Sequence, residues 1–229
     1  ANHTQIVVGL SIVQLHTLPN YTGITISGAS PASGVIVRLN YDGTEIDNKI
    51  VANNDLNNTG SGGRNPFAAI THVSFHPGFG SIIVAGQYLS LRPGFDVLGA
   101  STLLPSTTNG TQAFVAMANK TLNWTWANAI EGSSVTISSL DVSQGADFVV
   151  GGNFDGNTNI KYSSLTQAGK GGSDGFVAKI DLSGSVDFLK VHGGMQNDIV
   201  DSVRIDSLAN TWVAGRYCVM ATTACSLSL

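Results

Sequence analysis

The chain has 229 residues, enough for one large all-β domain or two small ones with a real core. Only 11% of residues are charged against roughly 25% in ordinary soluble proteins, and Gly, Ser, Thr and Asn fill the difference, a mix that disfavours helix and favours turns and strands. The net charge is −4 with scattered Lys and Arg, so no basic stripe supports nucleic-acid binding, and no apolar run nears the ~20 residues of a membrane span.

The chain begins at Ala1 with no basic-then-apolar leader, which predicts a mature or trimmed product. Residues 5–10 (QIVVGL) stand where the second strand of a unit would be. Three landmarks then recur. The first is an apolar strand running into an Asx turn, at 35–40 (VIVRLN), 114–119 (FVAMAN) and 176–181 (FVAKID). Gly43 and Gly184 follow Asn40 and Asp181 where a type I turn prefers them, whereas Leu122 stands there after Asn119, so that turn closes differently. The second landmark alternates polar and apolar residues and ends at His16, His76, Asp141 and Asp206. The third is a strand carrying Gly28, Gly86, Gly152 or Gly215, with an aromatic two residues on at Tyr88, Phe154 and Tyr217.

The four glycines lie 58, 66 and 63 residues apart, which marks a repeat. Short strands, in-strand glycines and turn residues at each junction predict an all-β fold: a β-propeller-like array of four-stranded antiparallel blades, about three complete and one partial. The expected units are a partial blade at 1–30, a blade at 35–88 with an insertion at 53–65, blades at 113–154 and 175–217, and a tail at 218–229. The inserted loop is tolerable because closure entropy grows only logarithmically with length. A parallel β-helix is the alternative, although its rungs are usually shorter than these units.

The stretch 171–217 (GGSDGFVAKIDLSGSVDFLKVHGGMQNDIVDSVRIDSLANTWVAGRY) resembles a β-propeller repeat family of secreted and cell-surface proteins. The likeness extends to 114–154 and 35–88 and fades in 1–30, and His76-Pro77-Gly78 and His16-Thr17-Leu18 depart from the family's Asp and Gly positions. The resemblance implies a propeller fold and an extracellular or surface location, and no reaction. So few blades fall short of the usual ring. The chain is then expected to be part of a longer protein, an unusually small ring, or half of a pair of copies.

Each candidate for chemistry has a structural reading beside it. His16, His76, Asp141 and Asp206 recur in every unit, as turn caps do and catalytic residues do not. His72 and His76 would lie roughly 13 Å apart on a strand, too far to share a metal, and His3 and His192 stand alone. Asp155, Asn157 and Asn159 alternate like calcium ligands, with Ile160 and Thr166 where an EF-type loop has Gly and Glu, so the choice is calcium or a polar turn. Cys218 and Cys225 form either a small disulfide loop or two separate thiols. Sequons at Asn2, Asn20, Asn57, Asn109, Asn119 and Asn123 would make an exported chain a glycoprotein.

Glu45 with Asp47, Asp198 with Asp201, and Glu131 are the carboxylates available for glycosidic chemistry. Trp124 and Trp126 alternate on one face, a pattern as compatible with core packing as with sugar stacking, and with Tyr162 they are the aromatics to test for sugar. The resulting expectation is a non-catalytic extracellular module with a structural, self-assembling or adhesive role, displaying the segments 53–65, 89–112 and 155–175. It would contact copies of itself, glycans or a surface partner. The alternatives are a carbohydrate-binding module or a polysaccharide-active enzyme working in the propeller channel.

Overall fold

The computed structural model describes residues 5–12, 33–40, 42, 44–50, 52–53, 67–89, 93–97, 100–105, 107 and 110–218. Among these the chain is all-β with no helix, hence with no helix long and apolar enough to cross a membrane. The first sheet is the antiparallel set β1 (Gln5–Ile12), β2 (Ser33–Asn40) and β3 (Glu45–Ile50). β1 pairs with the side of β2 away from β3, so it does not take the second-strand place expected of residues 5–10, and the Gly28 strand lies outside the described residues. Next comes β4 (Ala52–Asn53), then the second sheet, whose spine is the meander β5 (Phe67–Phe75), β6 (Ile82–Leu89), β9 (Gln112–Ala118) and β10 (Trp124–Glu131). The hairpin of β7 (Pro93–Val97) and β8 (Ala100–Leu103) fills the excursion between β6 and β9 and meets β10 at Trp124.

The third sheet is the meander β11 (Thr136–Val142), β12 (Asp147–Asp155), β15 (Ser173–Asp181) and β16 (Val186–His192). Between β12 and β15, the hairpin β13 (Asn159–Tyr162) and β14 (Leu165–Ala168) leaves its own sheet and pairs with β10 of the second. The fourth sheet contains only β17 (Ile199–Ile205) and β18 (Thr211–Arg216) among the described residues.

The repeated glycines have a common cause. The first strand of the second, third and fourth sheets has a bulge, at Ile70/His72, Ile137/Ser139 and Val200/Ser202. The bulge pushes a carbonyl toward the neighbouring strand. A Cβ at Gly86, Gly152 or Gly215 would run into the carbonyl oxygen of Ala69, Thr136 or Ile199 respectively. On the other side, Gly86 pairs with Phe114 and Gly152 with Phe176, whose rings would lie 2.5 Å and 2.9 Å from that Cβ. The aromatic two residues on completes the set: Tyr88 meets Phe114 and Phe154 meets Phe176, both at 6.4 Å between ring centres. Sequence landmarks one and three are thus two sides of one cross-strand contact.

The second and third sheets bury both faces, which is why their middle strands read as unbroken apolar runs. In β6, Ile82, Val84 and Tyr88 join a core with Ile36 of the first sheet, while Ile83 and Ala85 join Phe148 and Val150 of the third. β12 repeats this, turning Val149 and β15's Val177 onto Val200 and Val203 of β17. Full burial of one such Val or Phe is worth about 1.5–3 kcal/mol, so stacking of sheets dominates the stability.

The sheets are cut at different points from the repeat units at 35–88, 113–154 and 175–217. Unit 113–154 gives β9 and β10 to the second sheet and β11 and β12 to the third. The step from β10 to β11 spans residues 132–135, about the length of the 119–123 hairpin, so nothing local marks it as a change of sheet.

Candidate functional site

The turn ends of the sheets hold most of the recurring polar residues. Asn119 Oδ1 accepts the N–H groups of Thr121 and Asn123 at 2.9 and 3.0 Å, and Asp181 Oδ1 those of Ser183 and Ser185 at 2.8 and 3.0 Å. Leu122, at φ 56°, takes the left-handed position that a glycine holds at Gly184, φ 86°, so the two turns differ in residue rather than in shape. Asp206 Oδ1 accepts from Leu208 and Asn210, both at 2.9 Å. Asn210 and then Trp212 also bond its carboxylate and hold its pKa down at about 2. His76, fully buried, accepts at Nδ1 from Gly78 and Phe79, which leaves Nε2 to donate to the Gly145 carbonyl in the adjacent sheet's turn.

Asp141 is not the third member of that set. The cap five residues past the bulge is Ser143, whose hydroxyl accepts the Gly145 N–H at 3.0 Å, while Asp141 Oδ2 instead accepts the N–H of Ile205 in β17 at 2.8 Å. Asp141 therefore ties two sheets together. Counting from the bulge aligns His76, Ser143 and Asp206, and the His/Asp pattern had hidden this. His16 lies outside the described residues, as do His3, Asn2, Asn20, Asn57, Asn109 and Cys225.

Among the other expected sites, Asp155 and Asn157 form an Asx turn, with Asp155 Oδ1 accepting both the backbone N–H and the side-chain amide of Asn157. Asn159 starts β13, and among the described residues no three His, Cys, Asp or Glu side chains gather as a metal site. Cys218 is disulfide-bonded. Of the sequons, Asn119 is engaged in its turn and Asn123 is exposed, with its amide on Thr121 Oγ1.

The aromatics expected to alternate on one face do not. A register shift between Trp124 and Trp126 sends Trp124 into the first core and Trp126 against the second, stacked on Phe148 with its indole N–H on the Leu182 carbonyl. Tyr162 is fully buried, donates to the Gly184 carbonyl and receives the Asn128 amide. Segment 155–175, expected as a displayed loop, contains this hairpin, which buries Ile160 and Tyr162 and leaves Asn159, Lys161, Thr166 and Ala168 exposed. The hairpin bridges two sheets and is braced outside by Lys161 with Glu131 at 3.0 Å.

The expected carboxylates each have partners of other kinds, and the Glu45 side chain lies outside the described residues. Asp47 pairs with Arg38, and exposed Asp201 with Arg216 at 3.4 Å. Asp198, 1% exposed, accepts the Gly194 and Cys218 N–H groups, both at 2.6 Å, pinning the chain beyond β18 to the β16–β17 link. Asp174 is 0% exposed beside it, with Oδ2 on the Lys170 N–H and Oδ1 left without a hydrogen-bond partner. Burial raises its pKa, and the nearby Asp198 charge adds to the effect. Gly156 and Gly193 admit this carboxylate, since a Cβ on either would collide with it. No motif in the sequence announces this pair, because its partners are backbone amides.

The largest departure from the repeat is at β18. Val213 is 42% exposed, whereas its counterparts Val84 and Val150 are 0% exposed. Tyr217 is 46% exposed against 0% for Tyr88 and 1% for Phe154, and Trp212 is 64% exposed. Among the described residues β18 has one neighbour, β17, where β6 and β12 each have two. β18 therefore exposes apolar side chains on both of its faces, Val213 and Tyr217 on one and Trp212 on the other, beside a strand edge with no described neighbour. No family model and no curated protein matches the chain.

Proposed function

We propose that the chain is a non-catalytic, extracellular β-propeller-like module with a structural or adhesive role. In this reading its stacked blades act as a scaffold and assemble through the unfinished fourth sheet. One observation carries it: the second and third sheets each rest one face on the sheet before and one on the sheet after, and the fourth leaves Val213 and Tyr217, which hold the positions of the buried Val84 and Tyr88, nearly half exposed. The recurring polar side chains support a scaffold rather than an enzyme, because their oxygens and ring nitrogens are engaged by backbone N–H groups within turns or between sheets.

Light scattering with intact mass, before and after deglycosylation, tests the reading. A particle of several 23.7-kDa protein masses is the expected result. A strictly monomeric chain at high concentration would remove self-assembly from the proposal.

A further inference from the structure

We propose that the outer edge of β18 is a docking site for an extended segment of the β9/β15 type, bound antiparallel with an aromatic side chain laid over Gly215. The inference rests on the stacked-sheet reading and adds the register and the chemistry of the bound strand. In both complete meanders the Gly strand is followed by a partner of one pattern. A polar residue faces the ring two positions past the glycine (Gln112 opposite Tyr88, Asp174 opposite Phe154). A phenylalanine faces the glycine, and Val then Ala come next, with Ala116 opposite Val84 and Ala178 opposite Val150.

β18 repeats the recipient half of this contact. Gly215 is opposite Val200 at the bulge, Val213 and Tyr217 hold the positions of Val84 and Tyr88, and the Ile199 carbonyl closes the inner side of the glycine. The three atoms nearest a Cβ at Gly215 are all backbone of Ile199 and Val200, with no ring among them, unlike Gly86 and Gly152. A segment carrying Phe in this register would cover Gly215, set its ring beside Tyr217 and lay Ala against Val213. The described strands of this type, β2, β9 and β15, each already have two neighbours. The occupant is therefore a further segment, recognised by main-chain pairing along the edge and by its aromatic.

The probe is a labelled peptide of residues 173–182 (SDGFVAKIDL), added to the full chain, with binding followed by anisotropy and amide exchange followed over 211–216. Binding that slows this exchange, and that weakens about tenfold or more when the peptide carries Phe176→Ala, is expected. Because the change is in the peptide, folding of the protein is not at issue. If the chain is an oligomer that the peptide dissociates, the site stands and a second copy is its occupant. If a monomer binds the peptide, the site stands and self-assembly falls. Equal binding of the Phe and Ala peptides, a monomer that ignores both, or an oligomer that the peptide leaves intact would each overturn the site, the last without touching self-assembly.

Discussion

β12 and β18 are close copies, FVVGGNF at 148–154 and WVAGRY at 212–217, yet one is buried on both faces and the other is largely exposed. Both lie against a bulged strand, and both put a glycine where the bulge drives a carbonyl into the pair. They differ at the opposite edge. β12 has β15 there, with Phe176 over Gly152, whereas β18 has no described strand in that place. An in-strand glycine thus has two separable requirements, a carbonyl from one neighbour and a ring from the other, and this chain contains a position with both and a position with one.

The largest effect should come from removing the ring that separates the two regions. Phe176→Ala is expected to cost about 3–5 kcal/mol, and Trp212→Ala no more than about 0.5 kcal/mol, by denaturant unfolding. A large loss at Trp212 would mean that the β18 face is covered in solution. Next, Gly152→Ala should cost about 3 kcal/mol or more and Gly215→Ala about 1–2 kcal/mol, because the second meets the Ile199 carbonyl but no ring. Equal losses would break the comparison. A smaller contrast is expected between hydroxyls. Tyr88→Phe loses the 2.7 Å bond to Gln112 Oε1 and about 1 kcal/mol, while Tyr217→Phe should be neutral.

The weakest contrast concerns pH, and the two groups act with opposite sign. Asp206, held at about 2 by Asn210 and Trp212, stabilises the fold above its unfolded value near ~3.9 and loses that contribution as pH falls toward its folded value. Asp174, raised by burial, contributes fully below the unfolded value and loses its contribution as pH rises through its folded one. Melting curves across acid pH should therefore show Asp206→Asn flattening the acid-side loss and Asp174→Asn flattening the loss on raising pH. If neither changes the profile, these carboxylates do not govern it.

Turn chemistry was the most legible part of the site. Asn119, Asp181 and Asp206 can be read as caps because an Asx oxygen reaches amides only two to four residues away, a local fact. Asp141 misled for the converse reason: its partner, the Ile205 N–H, is 64 residues away, and only the bulge count reveals Ser143 as the cap. Trp124 and Trp126 misled because one register shift reverses a strand's facing, and alternation in sequence assumes none.

Taken alone, the sequence determined the all-β class, the repeat and the residue types at its turns, since each arises from short-range sterics and hydrogen bonding. It also held both halves of the glycine–aromatic contact without showing that they touch. Tertiary structure alone decided where one sheet ends and the next begins, because a sheet change and a hairpin use links of similar length. It also decided that the 159–168 hairpin braces the neighbouring sheet, that Asp174 and Asp198 are buried on backbone amides, and that β18 keeps an open edge among the described residues. Each of these depends on partners far away in sequence, and the local pattern carries no record of them.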